Sequence, residues 1–175
     1  MLAKIVKKWY NFIRNKKRGA YMEKYGEVDS LDFAIYLNKK AKDKGISTNL
    51  TKIHKWLYVC YGLYLVINRA QLLNERPQAW QYGPAFPKVH NKQKKNGDSL
   101  DRLRMTASEA DMKKYDDIIE ATLKHFGGWT ASELVAWTHE LDGAWDRKFN
   151  NYQKYKPLED LDILADFEKF VTIQR

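Results

Sequence analysis

From Trp56 to Ile67 the chain reads WLYVCYGLYLVI, twelve residues of which only Gly62 is not apolar. The run is too short to cross a bilayer, which takes about 20 apolar residues. Upstream, Leu50, Ile53 and Leu57 begin a helical stripe, and Thr48 or Asn49 stands where an N-cap belongs. A helix that is apolar on every side has to be covered on every side. Residues 49–69 are therefore expected to form a central helix with the other elements packed around it. Gly62 inside it costs about 1 kcal/mol relative to alanine, so it marks a close helix crossing.

Outward from that helix the signals stay helical. Asp29-Ser30-Leu31-Asp32 opens a pattern carried by Leu31, Phe33, Ile35 and Leu37, and Gly45 closes it as a C-cap. The tetrapeptide Thr-Ala-Ser-Glu occurs at 106–109 and again at 130–133. Each reads as a capping box, the threonine accepting from the third helical amide and the glutamate reaching back to the threonine N–H. The first is expected to open a helix with Met112, Tyr115, Ile119, Leu123 and Phe126 inward, stopped by Gly127-Gly128. The second opens a shorter helix through Leu134, Val135, Trp137 and Thr138. The sequences that follow the two boxes differ, so they share capping physics and are not an internal repeat. Pro157 is placed in the first turn of a last helix bearing Leu161, Leu164, Phe167 or Ala165, and Phe170.

One stretch breaks the helical rhythm. Gln71 to Pro87 reads QLLNERPQAWQYGPAFP. Leu72-Leu73 and Gln78-Ala79-Trp80 flank Asn74-Glu75-Arg76-Pro77, the pattern of a short hairpin or paired extended loop. Tyr82-Gly83-Pro84 then forces a turn, with Gly83 held extended by the proline after it. Pro87 pre-sets a helix through Lys95, ended by Gly97. The expected fold is mainly α: a compact helical domain over 28–175 with a small β-hairpin or extended insertion near 71–84.

The 175 residues suffice for one domain. A chain of this length buries roughly 70% of its unfolded surface, so no disulfide or metal staple is needed to fold it. An aromatic content of 14% argues against disorder. The single cysteine, Cys60, excludes an internal disulfide framework and a multi-cysteine zinc site, which fits a cytoplasmic protein.

The net charge of +9 is not spread evenly. Lys4, Lys7, Lys8, Arg14, Lys16, Lys17 and Arg18 give residues 1–18 a charge of +7 with no acid, which leaves +2 from Gly19 onward. Residues 1–27 thus read as a basic arm ahead of a nearly neutral body. Within the arm Leu2, Ile5, Val6, Trp9, Phe12 and Ile13 fall on one helical face. Lysines interrupt them, so no signal-peptide core forms. The stripe fits packing on the body, a partner's groove or an anionic membrane surface. Lys88, Lys92, Lys94, Lys95, Arg102 and Arg104 against Asp98 and Asp101 add a second basic stretch, of +4. Nucleic-acid binding through these segments would show as a steep loss of affinity with salt, although no recognition-helix or zinc-finger pattern is visible. The acidic last helix, with Glu159, Asp160, Asp162, Asp166 and Glu168, can answer basic residues within the molecule or across a homodimer.

Catalytic chemistry finds no foothold. His54, His90, His125 and His139 lie too far apart in sequence to place two ligands on one helical face. His139-Glu140 begins like a metalloprotease motif and fails at Gly143. Phosphate-binding, dinucleotide and nucleophile-elbow motifs are missing, and Cys60 lies within the apolar helix as a small hydrophobe. Neither an enzyme nor a cofactor is expected.

Four blocks in order carry a resemblance: LTKIHKWLY at 50–58, AWQYGP at 79–84, ASEL at 131–134, and Thr138-His139-Glu140 followed by Trp145. Together they resemble the Panacea domain, over about residues 31–172. That family occurs in phages, prophages and bacterial chromosomes and supplies antitoxins of toxin–antitoxin systems. One branch acts as a proteolytic adaptor to the ClpXP protease. The resemblance implies a helical domain that binds and neutralises a cognate toxin protein by direct contact, without catalysis. Phage counter-defence is a close variant. Trp80, Tyr82, Gly83 and Pro84 match the family's Trp–aromatic–Gly–Pro signature, and Thr138, His139 and Trp145 its Thr-His…Trp block. Ala85 replaces a larger aliphatic residue, and Ala144 stands before Trp145 where proline is frequent. These seven residues are the candidate partner-binding set, with core packing the other reading of Trp80 and Trp145, and with the basic arm (Lys4, Lys7, Lys8, Trp9, Arg14, Lys16, Lys17, Arg18) as a second surface. His139 is expected to hydrogen-bond Trp80 or Tyr82 and tie the blocks together. The tyrosines Tyr21, Tyr25, Tyr152 and Tyr155 offer an alternative interface.

Overall fold

The computed structural model describes residues 26–140, 142–150 and 153–173. The basic arm up to Arg18, and Tyr21, Tyr25 and Tyr152, lie outside the described residues.

Helix α1, Ser30–Asp43, starts at Asp29, whose carboxylate accepts from the amides of Leu31 and Asp32. Gly45 stands just beyond its end at φ +69°, as expected of a C-terminal glycine. Helix α2, Leu50–Asn68, is capped by Asn49, which accepts from the Lys52 amide at 2.9 Å. Residues 56–61 of α2 are all buried, so the helix is enclosed on every side, as its composition requires. A hairpin follows: β1, Gln78–Trp80, pairs antiparallel with β2, Gly83–Ala85, in the register Gln78 to Ala85 and Trp80 to Gly83. Helix α3 runs from Pro87 to Lys95 and ends before Gly97 at φ +67°. Then come the short α4, Glu109–Met112, a 3₁₀ turn at Lys113–Tyr115, and α5, Asp116–Phe126. Helices α6, Ala131–Thr138, α7, Ala144–Asn150, and α8, Asp160–Ile173, complete the order among the described residues.

Helices α1, α5, α6 and α8 and strand β2 all pack on α2. The fold is mainly helical with one small antiparallel hairpin. Where α2 meets α8, a Cβ added at Gly62 would run into the Phe167 ring; the glycine marks a crossing.

Four local expectations change. The hairpin pairs 78–80 with 83–85 across Gln81-Tyr82, while Leu73 forms a parallel bridge with Val28 instead. Thr106 caps no helix, because its amide and hydroxyl donate to the buried Asp32 carboxylate at 2.9 and 2.6 Å. Ser108 caps α4 in its place, accepting from the Asp111 amide. Pro157 lies ahead of α8 and bridges Gln78, with the Leu158 amide donating to the Pro77 carbonyl at 2.8 Å. Finally, Leu161 and Ala165 face solvent, and Ile163, Leu164 and Phe167 fill the core side of α8. The second capping box forms as read, with Thr130 and Glu133 bonded reciprocally.

Candidate functional site

The tight turn between β1 and β2 is held by contacts from α2, α6 and α7. Gly83 sits at φ +89°, a conformation an L side chain rarely adopts. A Cβ there would lie 2.5 Å from Thr138 Oγ1 and 2.9 Å from Lys55 Nζ. No residue but glycine fits. Lys55 projects from α2, is 2% exposed, and donates to the Pro84 carbonyl at 3.0 Å. No carboxylate faces it among its described partners, and burial lowers its ammonium to about 7. Next to it, His54 Nδ1 accepts from the Phe86 amide at 3.1 Å. Burial, then the Lys55 charge, pushes His54 down to about 3, so it stays neutral.

The two halves of the signature meet, though through an unexpected residue. Trp145 Nε1 donates to the Trp80 carbonyl at 2.8 Å. His139 makes no hydrogen bond to Trp80 or Tyr82. Its ring stacks flat on Trp145, with centroids 3.6 Å apart and planes 5° apart, and its buried Nε2 has no partner among the described residues. Trp145 in turn stacks on Phe149 at 4.6 Å. The indole N–H reaches a backbone carbonyl that the imidazole, held parallel to the indole, does not.

Exposure sorts the seven residues. Trp145, Thr138, Gly83 and Pro84 are buried, Trp80 and His139 are half-buried, and Tyr82 is 67% exposed. Tyr155, 61% exposed at φ +63°, stands beside Trp80 with ring centroids 5.7 Å apart. His90 of α3 lies 4.7 Å from Trp80 on another side. The backbone of 155–158 joins β1, because Tyr155 N donates to Ala79 O and Ala79 N to Lys156 O. The result is a Trp80–Tyr155 pair on a fixed frame, with Tyr82 exposed on the adjoining turn and Lys154 and Lys156 exposed in the segment that carries Tyr155.

Lys55 is a site residue beyond the seven signature positions, and its signal in the sequence is a lysine between His54 and Trp56 at the head of the apolar run. His54 and His90, 36 residues apart in sequence, are brought by the fold to a ring separation of 5.9 Å. Among the described residues no group of three His, Cys, Asp or Glu side chains is placed to hold a metal. Of the second basic stretch, Lys88 pairs with Asp29 and Lys94 with Asp98.

A family model described as Antitoxin SocA-like, Panacea domain, matches residues 53–146. The chain belongs to this family. Antitoxin SocA of Caulobacter vibrioides (strain NA1000 / CB15N) is 31% identical over 130 residues, covering 68% of this chain and 69% of the relative. No solved structure matches. The Panacea match runs from within α2 to the start of α7 and contains Lys55 together with all seven signature residues. Among the described residues no helix is long and apolar enough to cross a membrane.

Proposed function

We propose that this Panacea-family chain neutralises a toxin protein by direct contact, through the aromatic side chains of Tyr82, Trp80 and Tyr155, and without catalysis of its own. One observation carries the reading: the half-buried Trp80 holds the exposed Tyr155 beside it, and the exposed Tyr82 stands on the adjoining turn, whose backbone is fixed by Lys55 and Trp145. Tyrosine and tryptophan are enriched where proteins bind proteins. Aromatic side chains on a backbone already held in shape lose little conformational entropy on docking, so more of their contact area appears as affinity. The buried residues of the signature build the frame, and the exposed ones make the contact.

The test is co-expression with the product of the neighbouring gene. The wild-type chain is expected to restore growth, and Tyr82→Ala/Tyr155→Ala to lose the rescue while unfolding at the wild-type temperature. A neighbour that is harmless alone, or a double variant that rescues fully, sinks the proposal.

A further inference from the structure

On the other side of Trp145, helices α6, α7 and α8 enclose a groove of about 560 Å³. Its floor is aromatic. The Trp137 ring lies 4.9 Å from Phe126 and 5.7 Å from Phe170, and Trp129 packs 5.0 Å from Phe126. Its rim is acidic. Among the described lining residues Glu140, Asp142 and Asp166 face one lysine, Lys169. Behind the rim, Arg147 pairs with Asp142, Asp162 and Asp166. The cluster still holds four carboxylates to two cations, in a chain whose net charge is +9. Among the described residues Glu140 forms no ion pair, and it is exposed at the groove mouth. Apolar rings below and carboxylates above select for a ligand with both characters. Large apolar side chains are taken into the groove, and lysine or arginine beside them meets the carboxylates and the faces of Trp129 and Trp137.

We infer that this groove seats a segment of the toxin in which one or two large apolar side chains are flanked by lysine or arginine. The inference rests on the toxin-binding reading above and adds a second contact, continuous with the first through Thr138 and Trp145.

The experiment pans a library of random linear peptides, displayed on phage, against the full chain, and measures the affinity of the synthesised consensus peptide. Enriched sequences are expected to combine Trp, Phe or Leu with Lys or Arg. Glu140→Arg is expected to weaken the peptide at least tenfold, and added salt to weaken it further. Asp43→Arg, a charge reversal on the far end of α1, is expected to leave the affinity unchanged. Acidic consensus sequences, no enrichment, or indifference to Glu140→Arg overturn the inference. So does binding that appears only after residues 1–18 are deleted, which makes the chain's own basic arm the occupant. A Glu140→Arg chain that neutralises the toxin at full potency also overturns it and leaves the antitoxin reading standing. Peptide binding as expected with no toxin rescued by any form of the chain removes the toxin as the source.

Discussion

At position 55 a lysine is buried on α2 between His54 and Trp56, and its amine reaches a backbone carbonyl 29 residues away. The arrangement has a pH signature. In the unfolded chain the amine keeps its proton up to about 10.5, and in the folded chain only up to about 7. Between those values the unfolded state binds more protons, so stability rises with pH. Cys60 works the other way. Burial pushes its thiol up to about 12 from 9.0, so stability falls above pH 9. The window from 7 to 9 isolates Lys55. Denaturant unfolding is expected to show the wild type gaining stability across it, with Lys55→Met flat. Equal slopes for the two proteins would refute the buried, deprotonated amine. At the neighbouring position, Gly83→Ala forces a side chain into positive φ and into Thr138 Oγ1. A loss of about 2 kcal/mol is expected from strain of this kind. In a chain of this size that lowers Tm by about 4–8 °C.

The two Thr-Ala-Ser-Glu segments are the same four letters with different roles. Thr130 is a helix cap, and Thr130→Ala is expected to cost about 1 kcal/mol. Thr106 serves Asp32, buried 74 residues earlier. Thr106→Ala removes a hydrogen bond to a charged group, worth about 1.5–3 kcal/mol. A double-mutant cycle distinguishes the roles: Thr106 should couple to Asp32 and not to Glu109, whereas Thr130 should couple to Glu133. The reverse pattern would restore the first capping box. Gly62 belongs to the crossing of α2 and α8. Gly62→Ala gains about 1 kcal/mol in helix propensity and loses about 1–3 kcal/mol by overpacking against Phe167. A lower Tm is expected, because an aromatic ring wedged between two helices cannot swing aside.

Across the whole molecule the acidic α8 is answered from several elements. Arg69 binds Glu168, Arg76 reaches Glu159 and Asp160, and Lys148 binds Glu159. Asp160, 3% exposed, also accepts from Tyr61 at 2.7 Å and Gln71 at 2.5 Å. These residues lie up to 99 positions apart, so no window of sequence pairs them. Trp145 joins the same frame from α7, and its indole N–H separates bonding from packing. Trp145→Phe keeps the ring stack and leaves the Trp80 carbonyl without that donor. About 1–3 kcal/mol should be lost, and amide exchange in β1 should quicken. Unchanged exchange would mean that the indole bond does not hold the hairpin.

What the sequence by itself determined were mostly features set within one turn of helix: the extent of α2, a cap at Thr48 or Asn49, the Thr130 box, the ends of α1 and α3, and a hairpin or extended insertion near 71–84. Those depend on interactions between residues three or four apart, and contiguous residues carry that information. Only the tertiary structure decided which distant groups meet. Lys55 finds Pro84, Asp32 takes Thr106 from its expected helix, Pro157 leaves α8 to pair with Gln78, and Trp145 makes the bond assigned to His139. The reason is that a buried donor or charge takes whatever acceptor the packing brings near it, and packing is settled by the shape of the whole core.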